Sequence, residues 1–342
     1  MLERASINQI SQPSVVMLTF LRTTFSRSLR MFYTVARIML PIMIAVRIAA
    51  QLGLIEQVGK LIGPIMALVG LPAEAGIVWA TTALAGIYAG IGSMAALGDS
   101  LSFNVAQISV LGTMMLFAHN MPMEQAIVRR AGASFWFTAT LRIVCALLYG
   151  GLLAWGLNSA GLLQEPVSLA WLYGQSNATQ GGWQGWVDWL WGTASSLFMT
   201  WLIILGLLLI LSALEKIGFT RLLTRLLLPL LRFSGLEERV APTTTIGVLL
   251  GLSYGGALII DESRQQNYSP RTRLLALSWL SLSHSLIEDT ILILALGANI
   301  WVALVGRLVL TLLVIGLMAR LTLPGSALYR RYLASASHPQ DA

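Results

Sequence analysis

His284 and Glu288 stand four positions apart, with Ser281, Ser283, Ser285 and Asp289 beside them in an otherwise apolar stretch. Residues i and i+4 of a helix share a face. An imidazole and a carboxylate so placed can bind a cation, relay a proton or accept hydroxyl hydrogen bonds from a polar solute. His119, Asn120 and Glu124 make a comparable group earlier in the chain. A further polar island, Ser253, Tyr254, Gly255, Asp261 and Glu262, follows the glycines Gly247 and Gly251, while Gly86 and Gly90 interrupt an apolar run in the first half. Glycines spaced by four let helices pack closely; adjacent Gly255 and Gly256 beside Ser253 and Tyr254 favour a helix break that turns backbone groups toward a cavity.

Arg142 and Arg307 lie well inside the apolar runs that begin at Ala133 and Ala298. A guanidinium at that depth costs about 2.5–3.5 kcal/mol on the lenient insertion scale, so each must meet a partner or water. One reading is a substrate-anion site or a coupling switch. The other is a structural cation that bonds the carbonyl ends of a broken helix or a nearby carboxylate.

These groups sit in a chain of 342 residues that is 56% hydrophobic and 11% charged, where a soluble domain carries roughly 25% charged residues. That composition excludes a soluble enzyme. Thr193 to Leu214 contains no charge, and about 20 apolar residues suffice to cross a bilayer. The chain therefore reads as an all-α, polytopic membrane protein. The net charge of +7 serves as a topology signal rather than a nucleic-acid footprint. Basic residues crowd the N-terminus (Arg4, Arg22, Arg27, Arg30, Arg37), vanish between Ile143 and Glu215, and return from Lys216 onward. The basic bias puts the N-terminus in the cytoplasm and the Trp-rich middle outside, in a bacterial inner membrane. The single cysteine, Cys145, excludes a disulfide framework and a thiolate cage.

A shift of 165 positions brings the halves into register without a gap. Gly53 meets Gly218, Pro64 meets Pro229, Gly86 meets Gly251, His119 meets His284, Glu124 meets Asp289 and Arg142 meets Arg307. A chain with three histidines has little chance of pairing two of them beside an intramembrane arginine pair. The expected organisation is a cytoplasmic amphipathic leader over 1–30, a first unit over 31–156, a Trp-rich connection over 157–190, a second unit over 191–320 and a cytoplasmic tail over 321–342. An odd number of crossings per unit makes the two inverted, which is a transporter architecture. A parallel duplication with an even number of crossings is the alternative.

Three motif pairs carry a resemblance to a known family. They are Val69-Gly70-Leu71-Pro72 with Phe233-Ser234-Gly235-Leu236, Ala85-Gly86-Ile87-Tyr88-Ala89-Gly90 with Gly251-Leu252-Ser253-Tyr254-Gly255-Gly256, and His119-Asn120-Met121-Pro122 with His284-Ser285. Over roughly 40–150 and 205–320 the chain resembles the nucleoside-recognition, or gate, modules of concentrative nucleoside transporters, of the bacterial GTP-driven ferrous-iron transporter and of spore-maturation proteins. The resemblance implies a transporter-like core of two gate repeats with broken or re-entrant helices. It departs from those proteins in lacking a GTPase domain and the extra scaffold helices of a full nucleoside transporter.

The expected function is movement of a small polar solute, with nucleosides one candidate class, coupled to an ion gradient. Ser253, Tyr254, Gly255, Asp261, Glu262, His284, Glu288, Asp289, His119, Asn120 and Glu124 supply the contacts. Arg142, Arg307, Gly86, Gly90 and Gly251 serve structure or coupling. No cofactor, resident metal or nucleic-acid partner is expected; the partners are the bilayer, the solute, the coupling ion, and either further copies of the chain or a membrane complex. No enzyme is expected: no zinc-binding His-Glu-x-x-His helix or Walker A loop occurs, and the Gly251 to Gly255 match to a nucleophile elbow lies in an apolar helical run rather than a strand-turn-helix. The alternatives are a non-transporting scaffold or assembly factor and a divalent-metal permease, the latter resting on the His284/Glu288 spacing.

Overall fold

The computed structural model describes residues 13–173, 182–265, 268–323 and 326, and among them the architecture is helical throughout. The first half runs α1 (Pro13–Gln51), α2 (Leu54–Leu68), α3 (Ala75–Ala85), α4 (Ile87–Leu97), α5 (Val105–Phe117), α6 (Met121–Arg130) and α7 (Phe135–Ala160), followed by the short α8 (Ala170–Tyr173). The second half runs α9 (Gly182–Lys216), α10 (Phe219–Phe233), α11 (Ala241–Gln265), α12 (Pro270–Ser283), α13 (Glu288–Ala295) and α14 (Arg307–Leu321), with a π-helical turn over Trp301–Gly306 leading into α14. Among the described residues four stretches are long and apolar enough to span a membrane: Arg22–Gln51, Phe135–Ala160, Trp183–Ile210 and Trp301–Leu321. The last carries an outward stripe at every fourth residue, Trp301, Val305, Val309, Leu313, Leu317 and Leu321, all exposed. Apolar side chains with no protein neighbour suit lipid.

The helices between the spans are shorter. Eleven residues each, α3 and α4 reach about 16 Å at 1.5 Å per residue, roughly half the hydrocarbon core. They fold back on one another as a hairpin, since Thr81 Oγ1 lies 2.7 Å from Ser93 Oγ and Gly90 packs against Thr82 with no room for a methyl group. Gly86 forms the tip with φ 99° and ψ 173°, a conformation essentially restricted to glycine. Its counterpart Gly251 adopts φ 69° and ψ 178° inside α11. A helical hairpin thus accounts for the glycine-interrupted run of the first half, and Gly90 serves close packing within it.

Helix α5 begins with a capping box formed by Asn104 and Gln107, and α12 with Ser269 accepting from the Thr272 amide. Both are sheathed in protein: every residue from Ile108 to Phe117 is buried, as is every residue from Leu275 to Ser283. A histidine follows within two residues of the end of each. Helices apolar on all sides belong in an interior, and these two carry His119 and His284 into the middle of the molecule.

The equivalences at 165 positions extend to backbone conformation. Gly53 and Gly218, Gly70 and Gly235, Asn120 and Ser285, and Gly132 and Gly297 are all left-handed at matching places. Helices α2 and α10 begin and end at equivalent residues. The two leading spans run antiparallel: Trp201 packs on Phe25 and donates to Ser28, while at the other end Arg47 donates to the Gly185 carbonyl and lies over the Trp186 ring. The end of the Trp-rich connection is thus helical, since α9 starts at Gly182, ahead of the charge-free stretch. At the N-terminus α1 is continuous from Pro13, joining part of the basic leader to the first span.

Candidate functional site

The chain leaves α5 and α12 in the same way. Beyond Phe117, the His119 ring turns back so that Nδ1 lies 3.0 Å from the Met115 carbonyl oxygen, and His284 Nδ1 lies 2.8 Å from that of Leu280. A carbonyl oxygen only accepts, so each Nδ1 carries the hydrogen and each neutral ring presents a lone pair at Nε2. Asn120 and Ser285 then take φ 45° and 50°. Their amides donate to the Thr82 and Gly247 carbonyls at 3.0 Å, tying each turn to the helix that precedes the glycine break.

The buried arginines fasten the same ends. Arg142 donates from Nε to the Phe117 carbonyl (2.6 Å) and from Nη2 to the His119 carbonyl (2.9 Å). Arg307 does the same toward Leu282 (2.8 Å) and His284 (3.1 Å). Terminal helix carbonyls lack partners within the helix, so these cations cap both broken ends, which is the structural one of the two readings of the arginine pair. The halves then differ. Arg142 Nη1 meets Glu124 Oε2 at 2.7 Å, whereas Asp289, one methylene shorter, leaves Arg307 Nη1 without a hydrogen bond among the described residues.

At the centre the halves meet. His119 Nε2 and His284 Nε2 are 2.9 Å apart. Glu124 spans both rings, Oε1 lying 3.3 Å from His119 Nε2 and Oε2 3.1 Å from His284 Nε2, while Asp289 Oδ2 approaches His119 Nε2 at 3.3 Å. Most of the group is buried: Arg142 and Arg307 are 0% exposed, His284 1%, Glu124 2% and His119 5%, while Asp289 is half-buried. It forms one wall of a cavity of about 340 Å³ that Gly86, Gly251, Asn120, Ser285, Glu288 and Asp289 also line, with Thr34, Val35 and Ile38 of α1. Another hollow, of about 480 Å³, is lined by Arg129 and Ala133 to Trp136 and holds none of these buried groups.

The expected His284/Glu288 pair does not form as drawn. Helix α12 ends at Ser283, extended His284 and left-handed Ser285 turn the chain, and Glu288 opens a new helix, so the two share no helix face; His284 engages His119 and Glu124 instead. Asp261 is exposed on α11 and accepts from Gln265, and neither it nor half-buried Glu262 lines the cavity. Ser253, Tyr254 and Gly255 lie within α11, but their side chains are outside the described set. Tyr88 and Thr34 line the cavity without having been singled out. Tyr88 had a signal in its place two residues after the Gly86 break; Thr34, in an ordinary apolar span, had none.

No family model matches this chain, and no solved structure matches it. The chain is 25% identical over 232 residues to YvoD of Bacillus subtilis (strain 168), an uncharacterized membrane protein; the match covers 65% of this chain and 69% of YvoD. Similarity to a membrane protein agrees with the four apolar spans. This is a multi-pass helical membrane protein.

Proposed function

We infer that the chain is a carrier of the bacterial inner membrane, with a cytoplasmic N-terminus, in which two gate-like units of inverted topology enclose one site for a small polar solute coupled to an ion. The observation that carries this reading is the convergence of both glycine breaks and both histidine turns on a single cavity between the halves. Discontinuous helices whose ends meet near the midplane are how carriers build a site that either side can reach. The antiparallel packing of α1 and α9, equivalent elements of the two halves, supports inversion, because a parallel duplication leaves equivalent spans pointing the same way. A cavity of about 340 Å³ is at the small end of ligand pockets, which favours a small solute; nucleosides enter as a class through the gate-family resemblance alone. The chemistry asked of the site is binding, so we read the protein as non-enzymatic.

Purified protein in proteoliposomes tests this. Uptake of a labelled solute from a panel including nucleosides, dependent on a proton or sodium gradient, is the expected result. No flux of any member under either gradient overturns it.

One feature favours a scaffold instead: both arginines hold helix-end carbonyls through Nε and Nη2, and both imidazole Nδ1 atoms bond the carbonyl four residues back, as a structural clasp requires. Replacing His284 or Glu288 by alanine separates the two. A scaffold loses folding or partner capture, whereas a carrier stays folded and loses flux.

A further inference from the structure

We propose that His119, His284, Glu124 and Asp289 form a binding site for one first-row divalent cation such as Zn²⁺ or Mn²⁺. The orientation of the imidazoles comes first. With both Nδ1 hydrogens committed to carbonyls, the rings in their neutral forms turn two nitrogen lone pairs toward each other at 2.9 Å. Three carboxylate oxygen contacts at 3.1–3.3 Å crowd the same point. Electron-rich atoms at such separations repel unless positive charge lies among them.

A proton on His119 Nε2 is shared among the three contacts of that atom and leaves His284 Nε2 facing Glu124 Oε2 without a hydrogen between them. A metal ion serves all of them. Ligands about 2.0–2.2 Å from a tetrahedral or octahedral centre stand about 3–3.5 Å from their neighbours, the spacing found here. His119, His284 and Asp289 place their donor atoms within 4.8 Å of one another, and a small swing of Asp289 brings its oxygen into the same shell.

The surroundings are those of a metal site. Metal-bound histidines hold their second nitrogen on a carbonyl or carboxylate, which fixes the tautomer, and metal-bound carboxylates are themselves hydrogen-bonded. Here the Met115 and Leu280 carbonyls do the first and Arg142 does the second. Two imidazoles with two carboxylates suit Mn²⁺, Fe²⁺, Co²⁺ or Zn²⁺ better than Ca²⁺, which takes six to eight oxygens, or Mg²⁺, which keeps its water. Each half supplies one imidazole and one carboxylate, so the cation is held only while the halves are together. Its role as cargo or coupling ion rests on the carrier reading; its binding does not.

The test is equilibrium binding of Zn²⁺ and of Mn²⁺ to the purified full chain in detergent, with Ca²⁺ and Mg²⁺ as comparisons. Metal content is measured beside titration calorimetry. The expected result is one Zn²⁺ or Mn²⁺ per chain, with affinity falling at least about tenfold in His119→Gln, His284→Gln and Asp289→Asn and unchanged in Glu238→Gln. Asp289→Asn guards against misfolding, since Oδ2 of Asp289 makes no hydrogen bond among the described residues; each variant is first shown to keep its helical content and its size. No saturable binding to the wild type, or binding undiminished in all three variants, overturns the proposal. If binding behaves as expected but proteoliposomes show no flux, the site stands and the carrier reading falls.

Discussion

His119 and His284 are 165 residues apart in the chain and in contact through their Nε2 atoms at 2.9 Å. Each ring is aimed by the carbonyl four residues before it and each turn is braced by an arginine 23 residues further on. Neither half alone contains the site. Each contributes one imidazole, one carboxylate and one glycine-broken helix.

Two side chains that serve one site do not fail independently. Alanine at His119 or at His284 is expected to remove most of the flux or ligand binding by itself, and the double variant to be little worse. A thermal-unfolding double-mutant cycle should give a coupling of about 0.5–3 kcal/mol. Additive effects on both readouts place the histidines in separate sites.

The arginines are not equal. Removing Arg142 leaves Glu124 buried with its charge uncompensated, and breaking such a pair costs about 3–5 kcal/mol. Arg142→Gln is therefore expected to destabilise the protein clearly more than Arg307→Gln, which removes carbonyl bonds but strands no carboxylate bonded to it. Glu124→Gln added to Arg142→Gln should recover part of the loss. Thermal unfolding in detergent checks the order, and equal losses count against the asymmetry.

Gly86 and Gly251 are required for their backbone angles and not for want of space. A Cβ at Gly86 comes no nearer than 3.8 Å to Asn120, and at Gly251 no nearer than 3.4 Å to Ser285. Alanine at either position is expected to cost about 1–3 kcal/mol. Gly156→Ala, in α7 with nothing within 4 Å, is expected to be neutral or slightly stabilising. Similar melting temperatures for all three variants sink the claim that the breaks are strained.

Inversion has a direct topological consequence. Leu52 and Ile217, equivalent at 165 positions, are both exposed at the ends of their spans. Single cysteines there, in a chain with Cys145 replaced, are expected to react with an impermeant reagent from opposite sides of the membrane. Labelling from the same side establishes a parallel arrangement.

Much of this was legible in the residues. Apolar run length marked the spans, and the pairing of rare types, His with His and Arg with Arg, marked residues that play matching parts in the two halves. Helical periodicity misled at His284 and Glu288, because it extends a helix that ends at Ser283, where His284 turns extended and Ser285 left-handed, and no propensity of either residue announces that. Asp261 and Glu262 drew attention as acids near a glycine break, yet facing is set by packing and α11 turns them from the cavity. The His119 to His284 contact had no local signal, since it belongs to the docking of the halves.

The central claim, that two imidazoles from opposite halves meet at one cation, is most directly tested by X-ray absorption at the zinc edge of the Zn²⁺-loaded protein. The spectrum is expected to require two imidazole nitrogens with oxygen ligands at about 2.0–2.2 Å, and only one imidazole in His119→Gln or in His284→Gln. A wild-type spectrum fitted without imidazole, or one that neither substitution alters, contradicts it.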